Sequence, residues 1–118
     1  VQLIKIDFDY FDLNEDRVPE NQQLMLYRII QEGLNNIIKH ADATTVNIVM
    51  KNTNRQLLLE IRDNGKGFNM ATVRKGLGIT NIKNRAELFD GKVTLTSTSG
   101  GGCTLKVVIP DKAVQATL

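Results

Sequence analysis

Nearly every strand-like run in this chain alternates apolar and polar residues, and that pattern constrains the fold more than any other feature. Over residues 3–8, Ile4, Ile6 and Phe8 share one face. Val46, Ile48 and Met50 do the same after Thr45, as do Leu57, Leu59 and Ile61 between Gln56 and Arg62. Val93 and Leu95 are backed by Thr94, Thr96 and Thr98, and Cys103, Leu105, Val107 and Ile109 alternate as far as Pro110. A period of two places one face of a sheet on a core and the other in water, the habit of antiparallel sheets. A parallel sheet buried on both faces would read as unbroken apolar runs instead.

Something must cover the apolar face, and two segments have helical spacing. Pro19-Glu20-Asn21 reads as a helix start, with Asn21 as a candidate cap. From Gln22 to His40 apolar residues recur at Leu24, Tyr27, Ile30, Leu34, Ile37 and Ile38, and Ala41-Asp42-Ala43 ends the run. A second helix follows Gly76-Leu77-Gly78, with Ile79, Ile82, Ala86 and Phe89 on one side, until Asp90-Gly91 breaks it. The runs on either side of Asn52-Thr53-Asn54 read as a hairpin. These elements predict an α+β fold: a two-layer α/β sandwich, with helices on one face of a mixed, mostly antiparallel sheet. With 118 residues, 42% of them hydrophobic, the chain suits a single domain with one core. No repeat, linker or low-complexity block divides it. It opens in a strand-like run without an initiator Met, so a piece of a longer protein is expected.

Composition excludes several function classes. A net charge of +2 does not call for nucleic acid. One cysteine, Cys103, rules out an internal disulfide and a cysteine zinc site, and a single histidine, His40, rules out a histidine-rich metal site. No apolar run approaches membrane-spanning length and no signal-peptide pattern is present, so a reducing cytoplasmic setting is expected. Charge is uneven along the chain: from Lys66 to Arg85 there are five bases and no acid. That stretch suits a polyanion such as a triphosphate, and equally an ordinary solvated surface.

Three glycine clusters and one helix face carry the chemistry. Asp63-Asn64-Gly65-Lys66-Gly67-Phe68 directly follows a strand. Glycine tolerates positive φ and lets a flat ligand approach the main chain, and a fixed carboxylate beside it can accept a hydrogen bond from an exocyclic amine. The same letters are also good turn chemistry. Gly76-Leu77-Gly78 opens a helix, whose free N–H groups and dipole favour an anion. Gly100-Gly101-Gly102 is a third such cluster, and a plain hairpin turn accounts for it equally well. Glu32 and Asn36 stand four apart on one helix face, extended by Lys39 and His40. Asn and Glu are oxygen donors of the kind Mg²⁺ accepts, although most helices carry such a polar face. Neither a G-x-G-x-x-G nor a G-K-[ST] motif occurs. Asp12-Leu13-Asn14-Glu15-Asp16 begins like a calcium loop but has Arg17 where glycine is required.

Taken in order, these pieces resemble the GHKL ATPase superfamily, and within it the catalytic ATP-binding domain of bacterial sensor histidine kinases, over about residues 20–110. Tyr27 to Ala41 is similar to its N box, Asp63 to Phe68 to its G1 box, Gly76-Leu77-Gly78-Ile79 to its G2 box, and Gly100 to Thr104 to its last glycine box. The compact segment between Phe68 and Gly76 resembles the short ATP lid of the nitrate- and lipid-sensing subfamily. The resemblance implies the Bergerat fold, ATP as ligand and Mg²⁺ as metal. It implies that Asn36 binds Mg²⁺ with Glu32 beside it, that Lys39 and His40 face phosphate or ribose, and that Asp63 accepts the adenine amine. Gly65, Gly67, Phe68, Gly76, Leu77, Gly78, Gly102, Cys103 and Thr104 would line the nucleotide. Cys103 departs from the threonine usual there.

The implied partners are a dimerisation and histidine phosphotransfer domain of the same parent protein and a downstream response regulator. The fragment would be monomeric in a homodimeric parent, with an inner-membrane anchor on that parent left open. Nothing in the sequence resembles the phosphoacceptor helix, so ATP binding without self-phosphorylation is expected. Two other readings compete. One is an anti-sigma-factor-type serine kinase of the same superfamily, against which the short lid argues. The other is an adapter that has lost nucleotide, against which the intact Glu32, Asn36, Asp63 and glycine clusters argue.

Overall fold

A computed structural model describes residues 3–11, 18–53, 55–67 and 78–110. The elements run β1 (Lys5–Phe11), α1 (Glu20–His40), β2 (Thr45–Thr53), β3 (Gln56–Asp63), α2 (Ile79–Glu87), β4 (Lys92–Ser97) and β5 (Cys103–Pro110). They build one five-stranded sheet in the order β1-β2-β3-β5-β4. β1 runs parallel to β2, and the other neighbouring pairs are antiparallel. The sheet is therefore mixed and mostly antiparallel, as the alternation predicts, with a crossover through α1 joining its parallel pair.

The inward residues of the three central strands are those whose parity the sequence shows. Val46, Ile48 and Met50 of β2, Leu57, Leu59 and Ile61 of β3, and Leu105, Val107 and Ile109 of β5 are all buried. α1 adds Met25, Leu26, Ile29 and Ile37, and α2 adds Ile82 and Ala86, to the same cluster. Gly33 brings α1 close to the sheet: a Cβ there would stand 3.0 Å from the Ile61 side chain and 3.7 Å from Leu105.

Three expectations shift. The first strand does not stop at Phe8, where the alternation reads as ending, but runs as β1 to Phe11, and all seven of its residues are exposed. Its Ile6, Phe8 and Tyr10 pair in register with buried Val46, Ile48 and Met50, yet lie at the sheet edge. The buried stripe of α1 is Met25, Leu26, Ile29, Gly33 and Ile37, whereas Leu24, Tyr27 and Ile38 are exposed. The helix is rotated because its smallest residue, Gly33, allows the closest approach and so points at the sheet. Finally, Pro19 and not Asn21 caps α1. Its carbonyl accepts the Gln22 and Gln23 N–H groups at 3.0 and 2.9 Å, and no side chain caps the helix.

Candidate functional site

β3 and β5 end side by side, in a row that the register defines. Asp63 of β3 faces Cys103 of β5, and Cys103 faces Ser97 of β4. All three occupy inward positions, in phase with Ile61, Leu105 and Leu95. Asp63 and Ser97 are the two buried polar side chains among the described residues, each 6% exposed. At the same end of the sheet the polar face of α1 and the start of α2 converge. Between them lies a recess that is partly open to solvent. Asn36 and His40 of α1 line it, with Asp63, Gly67 and Cys103 at the strand ends and Ile61, Ile79, Ile82 and Leu95 as apolar walls.

The Asp63 carboxylate is fixed by its own turn. Its Oδ1 accepts the Gly65 N–H at 2.8 Å, an Asx-type turn that aims the side chain inward. Burial raises its pKa above the ordinary carboxylate value, and the Gly65 hydrogen bond opposes that rise. Across the row, burial and then the Asp63 charge push the Cys103 thiol up to about 11, against a hydrogen bond with Ser97. The thiol is therefore neutral near pH 7.

The glycines serve backbone approach first. A Cβ at Gly65 would strike the carbonyl of Ala41, and the neighbouring Lys66 N–H donates to that same carbonyl at 2.8 Å. Gly67, at φ +62°, lies against the carbonyls of Thr98 and Gly102. The loop after β3 is thus clamped between the end of α1 and the β4–β5 turn. Asn64, to which the sequence reading gave no role, is a second clamp. Its Oδ1 accepts the N–H groups of Thr44 and Thr45, both at 2.9 Å, and its Nδ2 donates to Thr44 Oγ1 at 2.8 Å.

The predicted residues fall into groups. Asn36, His40, Asp63, Gly67 and Cys103 meet around the recess. Glu32 is half-buried, and its carboxylate rests against Gly78, the N-terminal cap of α2. Lys39 is exposed and Gly102 packs on the Asp63 carbonyl; neither lines the recess. Thr104 stands apart from these groups. It pairs with Arg62 and Thr96, both exposed, and strand alternation turns it to the opposite face of the sheet from Asp63 and Cys103. Phe68, Gly76, Leu77 and the lid lie outside the described residues. Ser97 was missed, although a polar residue in phase with Val93 and Leu95 signals it.

The donor set can be tested against the implied ligands. A largely apolar recess with one fixed carboxylate in its lining suits a flat amine-bearing ring. Among the described residues no group of three or more His, Cys, Asp or Glu could hold a metal. The Asn36 amide on the wall fits a cation that would draw most of its oxygens from phosphate and water, as Mg²⁺ does.

The family described as histidine kinase-, DNA gyrase B-, and HSP90-like ATPase matches residues 21–113. The chain belongs to that family. It is 33% identical over 102 residues to the signal transduction histidine-protein kinase/phosphatase UhpB of Salmonella typhimurium, covering 86% of this chain and 20% of that protein. It is 33% identical over 106 residues to the sensor histidine kinase LiaS of Bacillus subtilis, covering 89% of this chain and 29% of the relative. The chain thus spans between a fifth and a third of the length of these two relatives. Among solved structures, the histidine kinase domain of the Erythrobacter litoralis EL346 blue-light activated histidine kinase superposes with a TM-score of 0.76 at 18% identity, over 94% of this chain and 54% of that one. At that identity the likeness bears on the fold. This ATPase-family domain contains, among its described residues, no helix long and apolar enough to cross a membrane.

Proposed function

We propose that this chain is the catalytic, ATP-binding domain of a two-component sensor kinase. It holds ATP and donates the γ-phosphoryl group to a histidine on a separate dimerisation and phosphotransfer domain, for relay to a response regulator. Residues 1–118 form one domain, cytoplasmic and monomeric by itself, in a parent that dimerises. The observation that carries the reading is Asp63: a buried carboxylate held by its own turn in a largely apolar recess that Asn36 and His40 also line.

In this reading Asp63 accepts the hydrogen bond of the adenine amine, and Ile61, Leu95 and Cys103 wall the ring. Asn36, with Glu32 beside it on the same helix face, would hold Mg²⁺, which when bound would neutralise charge on the phosphate oxygens. His40 and Lys39, in the last turn of α1, face ribose or phosphate. Gly78, the cap of α2, with the N–H groups of the first turn after it, faces the triphosphate, and Gly76 and Leu77 are proposed to join it there. Phosphoryl transfer rests mainly on positioning, so a held ATP without a positioned imidazole is unreactive.

Calorimetry with ATP, with and without Mg²⁺, followed by incubation with γ-labelled ATP, tests the proposal. ATP should bind, tighter with Mg²⁺, and the isolated chain should not label itself. Adding the dimerising helical domain of the parent should give acid-labile label on a histidine of that domain. Acid-stable phosphoserine on an added partner would point to the serine-kinase reading. Acid-labile label on His40 of the isolated chain would sink the division of labour proposed here.

A further inference from the structure

The row Asp63–Cys103–Ser97 ends in a serine that does not itself line the recess but lies behind residues that do, and its hydroxyl is buried. Ser97 Oγ donates to the carbonyl of Gly102 at 2.7 Å. Ser97 faces Cys103 directly across β4 and β5, close enough to oppose the rise of the thiol's pKa. It also lies against Gly67, where a Cβ would come within 2.9 Å of it. Gly102, at φ +75°, packs in turn on the Asp63 carbonyl. One hydroxyl therefore joins the end of β4, the start of β5 and the loop after β3, the three segments that surround Asp63.

We infer that Ser97 is a positioning residue for base selectivity: it holds Gly102, Cys103 and Gly67 in the arrangement that sets how Asp63 meets the edge of a purine. This rests on the reading of the recess as a nucleotide site and deepens it. A carboxylate distinguishes an amine-bearing base edge from a carbonyl-bearing one through direction as well as charge. An acceptor opposite a carbonyl is repelled, and one opposite an amine is paired. That discrimination survives only while the carboxylate stays within a few tenths of an ångström of its place. Removing the Ser97 hydroxyl leaves the buried Gly102 carbonyl without its donor, and it frees the Cys103 side chain that borders Asp63. The β4–β5 turn and the loop after β3 can then shift relative to each other, and the Asp63 carboxylate shifts with them.

The test measures ATP and GTP affinities of the 118-residue chain by calorimetry in the presence of Mg²⁺, for wild type, Ser97→Ala, Ser97→Cys and Ser97→Thr. The cysteine variant fills the space with a poor donor and serves if the alanine variant does not fold; the threonine variant keeps the hydroxyl. Ser97→Ala and Ser97→Cys should narrow the ATP-over-GTP preference by about 10-fold, the scale of one hydrogen bond. Ser97→Thr should restore it. In an Asp63→Asn background, Ser97→Ala should no longer change the preference, because Ser97 acts through Asp63. Equal weakening of ATP and GTP would show a merely structural serine and overturn the inference, as would an unchanged preference. Failure of the wild-type chain to bind ATP would instead overturn the nucleotide reading, and this inference with it.

Discussion

Asp63 carries opposite demands. Binding requires it ionised, while its burial resists ionisation, since its pKa is raised by desolvation against the Gly65 hydrogen bond. The sign follows. Between the ordinary carboxylate value and the raised one, the folded chain holds a proton that the unfolded chain has lost, so Asp63 favours folding at low pH and loses that contribution as pH rises through the window. Asp63→Asn keeps an oxygen for the Gly65 N–H and removes the titration. The variant without ligand should be at least as stable as wild type at neutral pH, and thermal melts across pH should show its relative advantage growing through that window. Its ATP affinity should fall by about 10- to 100-fold, as for a lost charge-assisted hydrogen bond of roughly 1.5–3 kcal/mol. Wild-type affinity should drop as pH falls through the raised value. A variant that keeps full ATP affinity would remove Asp63 from base recognition. The place of Asp63, at the end of a strand and the start of a turn, was legible from the alternation before it and the glycines after it. The positions of Ser97 and Thr104 were legible too, had strand parity been carried to the last residue. Asn64 was not, because its partners at Thr44 and Thr45 are about twenty residues away and only the fold brings them close.

Among the elements, the glycine clusters repay comparison. Gly67 and Gly100 both have positive φ, at +62° and +78°. A Cβ at Gly67 meets backbone carbonyls, whereas one at Gly100 meets nothing within 4 Å. Gly100→Ala should therefore cost only the left-handed conformation, about 1–2 kcal/mol. Gly67→Ala must also push the β4–β5 turn off the loop after β3, and should cost clearly more while weakening ATP binding. Denaturant unfolding of the two variants decides this, and equal costs would contradict it. The sequence marks where the chain turns and says nothing of which atoms crowd the turn. The same limit explains α1. Helical periodicity located the element between Pro19 and Ala41, but which of two overlapping apolar stripes faces inward depends on a contact between Gly33 and Ile61 that lies across the fold.

At the level of the whole molecule, period-two alternation was enough to place the central sheet, because β2, β3 and β5 each have one face under helices. It over-assigned β1, whose inward parity is right but whose residues lie beyond the cover of α1. The sheet order β1-β2-β3-β5-β4 has a kinetic consequence. β3 and β2 are each flanked by strands on both sides and β5 lies between β3 and β4, while β1 is paired along one edge only and wholly exposed. Opening β1 exposes little apolar surface that is not already wet, so its amides should exchange with deuterium through local fluctuations, at rates insensitive to mild denaturant. Amides of Leu59, Ile61, Leu105 and Val107 should exchange only when the whole domain opens. Uniform protection across all five strands would contradict this. Asp63 and Cys103 terminate the two strands that let go last, so the floor of the recess should persist in partly opened forms of the domain that have already released the β1 edge.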